Sequence, residues 1–367
     1  MAQRLVLLHA ARGRRQGRRA ASIDITKAFL QGVEYEAEDM VIVRPPPDLR
    51  RQRYLLRCKK SVYGLKDAPR KWYLALRTFL LKLGGRELAS GERCVIVFGS
   101  SDFIDQSGHL IQAELARTES VAGDEWAAHG HPKPWAQEEE LEDIWLFISM
   151  HVDDLLCSGL IESIEWIHDC LDKQFGVGSI RFDSFPHCGC AIETTKEGFI
   201  VHQHEYVENS TKPIIIAPGR AHTDVMMPDE MTQGRSLTAG LAWNTTMTRA
   251  DGAFDVSALQ QGVRNPTVEL LHRANRVRQR LIKEQGSVKI LATTGPMRIN
   301  AVGDASFKNM PGGGSQSGAV IRVEADEGLV GGTGTVVAWS SRRLKRVISS
   351  TRSAELLTTL ENAHVGI

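Results

Sequence analysis

The sequence of 367 residues has no apolar run approaching the roughly 20 residues that a membrane-spanning helix needs, so no membrane partner is expected. It has six cysteines, too few for a disulfide framework in a chain of this length, and a reducing compartment is expected. Neither a nucleophile elbow nor a dinucleotide-binding glycine fingerprint occurs, and there are no convincing internal repeats. The glycine-rich stretch from Gly312 to Gly318 is followed by no P-loop lysine and reads as a hairpin loop. The first 20 residues contain six arginines and no acid. What is present is ordinary for a globular protein: 42% hydrophobic and 24% charged residues, in a length that suits about two domains.

The net charge of +1 conceals segregation. From Arg44 to Arg86 there are 13 Lys and Arg against two acids; from Glu87 to Trp145 there are 13 acids against three basic residues. A further basic run spans His272 to Lys283. Clustered positive charge suits a phosphate backbone, but it also suits solvated faces that cancel one another. The arginine-rich start reads either as a targeting peptide or as an ordinary helix, because "RLVLLHAA" is apolar at helical spacing.

Periodicity gives the coarse organisation. "ASIDITKAFL" reads as a short strand entering a turn. "SVYGLKDAPRKWYLALRTFLLKLGG" reads as a loop, a proline at a helix start and an amphipathic helix ending at Gly84 and Gly85. Residues from about 100 to 143 are polar, acidic and poorly periodic, as in a surface insertion or a disordered loop. "IESIEWIHDCLDKQF" places Ile164, Ile167, Leu171 and Phe175 on one helical face. Thr211 to Gly234 reads as a linker, Arg235 to about Gln285 as helical, and Arg298 onward as a second αβ unit.

Two adjacent carboxylates, Asp153 and Asp154, interrupt the apolar run "WLFISMHVDDLLCSGL". Carboxylates side by side repel unless a cation lies between them, and hard oxygen ligands suit Mg²⁺. The plain alternative is a polar turn between two strands. Asp24 in "SIDITKAFLQG" is the best candidate for a third ligand, and Phe29 could wall a sugar 2′ position. Read alone, Asp24 is better taken as an N-cap or strand-end aspartate and Phe29 as a core residue. Cys188, Cys190, His202 and His204 match no standard zinc spacing and read as strand residues.

The blocks "DITKAFLQG", "VYGLKDAPRKWY" and "HVDD", in this order, resemble the reverse transcriptases of Ty1/copia-type retrotransposons. "MVIVRPPPDL", "GFIVHQHEYVENSTK" and "RSLTAGLAWNTTMTRADGAFDVSALQQ" are similar to further segments of that family, so the resemblance covers nearly the whole chain. It implies an α+β fold: a polymerase palm, an antiparallel sheet with helices on one face, in residues 1–210; a linker and helical connection in 211–297; and a truncated ribonuclease H-like αβ unit in 298–367. It implies that Asp24, Asp153 and Asp154 hold two Mg²⁺, with Mn²⁺ as a possible substitute. Phe29 would screen ribo- from deoxyribonucleotides, and Tyr63, Gly64, Leu65, Lys66, Pro69 and Arg70 would border nucleotide and template. Partners implied are an RNA template, a DNA primer, deoxynucleoside triphosphates and other polyprotein segments, in a cytoplasmic virus-like particle or the nucleus rather than outside the cell.

"VGDASF", "SGAVI", "AWSSRRLKRV" and "SSTRSAELL" are similar to the first half of the family's ribonuclease H domain, so that Asp304 and Glu355 match two acidic ligands of an incomplete metal site. The departures are specific. The resemblance places a fingers region upstream of the first block, so "RLVLLHAARGRRQGRRA" is expected to be the helix before the catalytic strand. His151 stands where the family has Tyr, Asp67 where it has Gln, and Ala250 where it has Pro. The implied function is RNA-directed DNA synthesis by nucleotidyl transfer to a primer 3′-hydroxyl. The alternative is a degenerate, inactive retroelement fragment that at most binds nucleic acid.

Overall fold

A computed structural model describes residues 1–36, 38–39, 41–45, 55–87, 94–99, 144–263, 266–310, 312–325, 334–345 and 350–366. The acidic stretch expected as an insertion, 100–143, lies outside them. The fold is mixed α and β, with several sheets, all paired antiparallel, and eight α-helices among the described residues, in keeping with an α+β class. Among those residues no helix is long and apolar enough to cross a membrane. The chain divides into two compact units. One runs from Gly13 to Phe182; the other joins Gln3–Arg12 to Asp183–Ile367.

The opening helix α1 (Ala2–Arg12) belongs to the second unit and buries Val6, Leu7, Leu8, Ala10 and Ala11. In the first unit the chain forms β1 (Arg19–Ile25), the two-residue pair β2 (Ile42–Val43) and β3 (Leu56–Arg57), helix α2 (Ala68–Lys82) and β4 (Arg86–Glu87). Then come β5 (Val95–Gly99), β6 (Ile144–His151), β7 (Asp154–Gly159), helix α3 (Ile161–Phe175) and β8 (Val177–Phe182). Six of these strands make one sheet in the order β4-β5-β6-β7-β1-β8, so β1 lies between β7 and β8.

Alternation decides which face is covered. Ala21, Ile23 and Ile25 of β1 and Leu155 and Cys157 of β7 share one core with Trp72, Leu76 and Leu80 of α2 and Ile164, Ile167 and Leu171 of α3. Side chains on a strand alternate between faces, so both helices cover one face and Asp24 and Asp154 stand on the other. Helix α2 starts where Pro69, which lacks an N–H, occupies the first turn, and Gly84 at φ 92° follows its end. Helix α3 keeps the apolar spacing read from its sequence, with Ile164, Ile167 and Leu171 fully buried.

The second unit continues with β9 (Phe185–His187), β10 (Cys190–Thr195), β11 (Gly198–His202) and helix α4 (His204–Asn209). Helices α5 (Pro228–Met247), α6 (Ala253–Gly262) and α7 (Val268–Glu284) follow, then β12 (Val288–Leu291). The chain closes with β13 (Met297–Met310), β14 (Gly314–Ala325), β15 (Gly334–Arg343) and helix α8 (Thr351–Gly366). Strands β9 to β12 form a sheet ordered β12-β11-β10-β9, and β13 to β15 form another in chain order. Helix α5 begins at Pro228, inside the stretch read as linker. Pro in the first turn and Glu230, which accepts the Met227 N–H at 2.8 Å, mark its start and explain the earlier onset. Gly312 and Gly313 turn between β13 and β14 at φ 72° and 70°, but Gly314 to Gly318 already belong to strand β14, so only the start of the glycine-rich stretch is a hairpin connection.

The basic run on α7 is largely committed within the fold. Arg276 pairs with Glu269 at 2.7 Å and Arg280 with Asp255 at 2.9 Å, while Arg278 donates to the Thr211 carbonyl at 2.9 Å. Buried Arg249 makes a two-pronged bond to Asp251, at 2.8 and 2.7 Å, and donates to the Leu281 carbonyl at 2.6 Å. The hydrogen bond from Arg249, with added attraction from Arg249 and Arg280, holds the Asp251 carboxyl below its usual range despite partial burial. A depressed carboxylate adds stability above its unfolded pKa and loses it as pH falls through the folded value. Urea unfolding of Asp251→Asn should therefore depend less steeply on pH below about 4 than that of the unaltered chain. Equal pH slopes for the two proteins would exclude this pair as a source of acid sensitivity.

Candidate active site

Strand β1 delivers Asp24 and the hairpin of β6 and β7 delivers the aspartate pair, all within the Gly13–Phe182 unit. Asp24 and Asp154 are Cα partners across the β1–β7 ladder. Opposite residues on an antiparallel pair project to the same face about 5 Å apart. The His151–Asp154 pairing leaves Val152 and Asp153 as the two-residue connection. The Ile25 N–H donates to the Asp153 carbonyl at 3.0 Å, so β1 also fixes the turn.

Two further features shape this end of the sheet. Pairing between β1 and β8 shifts register between Asp24 and Ile25, a bulge of the kind that re-aims a side chain. Gly178 sits at that shift, and a Cβ there would stand 2.8 Å from the Asp24 carboxylate oxygen Oδ2. The missing side chain is thus the space the carboxylate occupies. Gly178→Ala should fold, because the crowded atoms are side-chain ends, Asp24 Oδ2 at 2.8 Å and Thr26 Cγ2 at 3.1 Å, rather than backbone, but it should displace the Asp24 carboxylate. Thermal unfolding close to that of the unaltered chain, with weakened divalent-cation binding, is the expected pair of results; unchanged binding would show that the Asp24 position is not critical.

Val152 has φ 56°. The two-residue turns that commonly join hairpin strands require positive φ at their first central residue and normally place glycine, asparagine or aspartate there. For a β-branched residue the conformation is strained, and such strain persists only where surroundings enforce it. The buried Trp72 indole N–H donates to the Val152 carbonyl at 2.5 Å.

Beside the aspartates, a short 3₁₀ turn, Ala28–Gln31, carries Phe29. Its ring meets Tyr63 edge-on at 5.1 Å, and Ser61 Oγ donates to the Phe29 carbonyl at 3.0 Å. The two expected aromatic site residues are therefore neighbours. Gly64 takes φ 93° in the loop before α2, with open space around it. Leu65 is half-buried, while Lys66, Pro69 and Arg70 are exposed along the loop and the start of α2. Gly32 allows the 3₁₀ segment to approach α2, since a Cβ there would lie 3.0 Å from the Lys71 and Trp72 backbone. Asp67 accepts a hydrogen bond from Tyr35 Oη at 2.8 Å.

Asp304 and Glu355 lie in the second unit. Ala305 and Phe307 pack with Ala354 and Leu357 of α8, so alternation puts Asp304 on the face of β13 away from that helix. Asp304 lines instead an open cavity of about 400 Å³ with Phe254, Trp339 and Ser341. The cysteine and histidine set expected to be plain strand residues has local partners. His202 stacks on His204 at 4.0 Å and lies 3.2 Å from Glu193, while burial pushes the Cys190 thiol up to about 12. Among the described residues, no three or more His, Cys, Asp or Glu side chains are grouped as a metal site. Asp24, Asp153 and Asp154 nevertheless offer hard oxygen donors from paired and adjacent backbone positions, and the space above Gly178 accommodates one of them.

Trp72, Val152 and Gly178 were not among the residues expected at the site. Trp72 is part of the "APRKWY" block, and valine in a tight "HVDD" turn is itself a sign of strain. The pairing of Gly178 with Asp24 has no sequence signal, because it depends on a bulge.

No family model matches the chain. Over 352 aligned residues, 91% of the chain, it is 24% identical to the retrovirus-related Pol polyprotein from transposon RE2 of Arabidopsis thaliana, and the match covers 20% of that protein. The corresponding polyprotein from transposon RE1 of the same plant is 23% identical, with equal coverage of both chains. The truncated transposon Ty1-A Gag-Pol polyprotein of Saccharomyces cerevisiae is 37% identical over 73 residues, 20% of the chain and 6% of that protein. The chain spans about a fifth of the length of its two Arabidopsis relatives. It is related, along nearly all of its own length, to the Pol polyproteins of copia-type retrotransposons.

Proposed function

We propose that this chain carries the palm of an RNA-directed DNA polymerase, within residues 1–210, followed by a helical connection in 211–297 and a ribonuclease H-like unit in 298–367. The observation that carries the reading is the pairing of Asp24 with Asp154 beside the Asp153 turn, on the face opposite α2 and α3. The reaction is attack of a primer 3′-hydroxyl on the α-phosphate of a deoxynucleoside triphosphate, with release of pyrophosphate. Asp24, Asp153 and Asp154 would hold two Mg²⁺, or Mn²⁺ in their place. Bound there, the ions would activate the attacking oxygen and neutralise the leaving one.

The remaining roles belong to the chain's own groups. Phe29, braced edge-on by Tyr63, offers an apolar wall against a 2′-hydroxyl. Exposed Lys66 and Arg70 offer charge to template or nucleotide phosphates, and Gly64 lets the backbone approach without a side chain between. Asp304 and Glu355 enter only through the resemblance; Asp304 faces away from α8, which does not fit a shared ion, and no step is assigned to them. The setting proposed is a cytoplasmic virus-like particle or the nucleus, with an RNA template, a DNA primer and other polyprotein segments as partners.

Mg²⁺-dependent extension of a DNA primer on an RNA template, measured beside Asp153→Asn, tests the reading. Extension by the unaltered chain alone is expected. Extension equal in both, or in neither, overturns it; salt-sensitive primer–template binding without extension would identify an inactive, nucleic-acid-binding chain instead.

A further inference from the structure

We propose that Trp72 is a positioning residue that holds the aspartate hairpin in its metal-binding shape, an inference that rests on the polymerase reading above. The turn between β6 and β7 has an intrinsic problem. Its first central residue, Val152, sits at φ 56°, a region that a β-branched side chain disfavours, and the residue is 40% exposed, so core packing does not enforce it. Among the described residues, hydrogen bonds reach the Val152 and Asp153 carbonyls from outside the hairpin. One runs from the Ile25 N–H of β1 to the Asp153 carbonyl at 3.0 Å. Another runs from Trp72 Nε1 to the Val152 carbonyl at 2.5 Å.

The indole is a stiff anchor. Trp72 is 1% exposed, lies in the first turns of α2 within the main core, and meets Phe175 edge-on at 5.1 Å. Gly32 lets the chain beside Phe29 approach the Trp72 backbone to within side-chain distance. A rotation of the Val152–Asp153 peptide would break the indole bond and turn the Asp153 side chain relative to Asp24 and Asp154. Trp72 therefore joins the block bordering the nucleotide to the carboxylates, acting through the backbone and touching no reacting atom.

The test is a cycle of Trp72→Phe, Val152→Gly and the double variant, with Asp153→Asn as control, read by Mn²⁺ affinity from the electron paramagnetic resonance of free Mn²⁺. Phenylalanine keeps the core ring and the contact with Phe175 but removes the N–H, and circular dichroism checks folding. Loss of an outer hydrogen bond that orients a ligand typically weakens metal binding about 10- to 100-fold, and that loss is expected for Trp72→Phe. Glycine adopts positive φ without strain, so the double variant should bind Mn²⁺ within about 3-fold of Val152→Gly alone. Unchanged affinity in Trp72→Phe, or an equal loss whether residue 152 is valine or glycine, would overturn the role of Trp72. If Asp153→Asn binds Mn²⁺ as tightly as the unaltered chain, the hairpin is not the metal site and the polymerase reading itself fails.

Discussion

Arg4→Ala is expected to destabilise the second unit by about 3 kcal/mol, because it leaves buried carbonyl acceptors without their donor. The guanidinium donates to the Val337 carbonyl at 2.8 Å and to the Thr246 and Met247 carbonyls at 2.6 and 3.0 Å. The last two are at the end of α5, where backbone carbonyls lack helical partners and the helix dipole favours a cation. The planar group also lies 3.7 Å over the Trp339 ring, whose own N–H donates to the Thr245 carbonyl at 2.7 Å. Burial brings the Arg4 pKa down to about 10, which leaves it charged at neutral pH. Alanine would leave these carbonyls without their donor and the Trp339 face uncovered. Lysine should rescue only part of the loss, because one ammonium cannot reproduce a planar fork that stacks and donates in several directions. Equilibrium urea unfolding of the unaltered chain, Arg4→Ala and Arg4→Lys gives these values, and an alanine cost under about 1 kcal/mol would show that solvent replaces the bonds.

Asp24→Asn should reduce primer extension by on the order of 10³-fold, as for loss of one preorganised electrostatic group. Asparagine preserves shape and can keep the β1 pairing with β7 and β8, so thermal unfolding should change little. On the proposed polymerase reading the loss should appear in kcat rather than in primer–template binding, since the carboxylate would hold the ions at the reacting phosphate while exposed basic side chains would supply affinity. Gly178→Ala should follow in the same direction with a smaller effect, because it moves the same carboxylate without removing its charge. A variant at Asp24 that extends primers at the unaltered rate would remove Asp24 from the chemistry.

Local pattern carried much of this architecture. The α3 face was legible because Ile164, Ile167 and Leu171 repeat at helical spacing and bury as one stripe. Proline before the apolar run marked the start of α2, and apolar strands on both sides of Asp153 and Asp154 marked the hairpin. Meeting points were less legible. Asp24 lies about 130 residues from Asp154 in sequence, and only sheet order makes them partners; no periodicity encodes that order. Charge was misleading in places. Arg4, one of the six arginines in the acid-free opening, is buried against carbonyls and Trp339, and Arg276 and Arg280 are engaged by acids of the same unit. Counting basic residues cannot separate a cation committed to the fold from one offered to phosphate.

The most direct measurement is a crystal structure of the unaltered chain soaked in Mn²⁺ and read by anomalous scattering. A peak at about 2.0–2.3 Å from carboxylate oxygens of Asp24 and Asp154, with Asp153 turned toward it, is the expected result. A hairpin that stays empty at saturating Mn²⁺, or a peak that persists there in Asp24→Asn crystals, would contradict the assignment of these three aspartates as metal ligands.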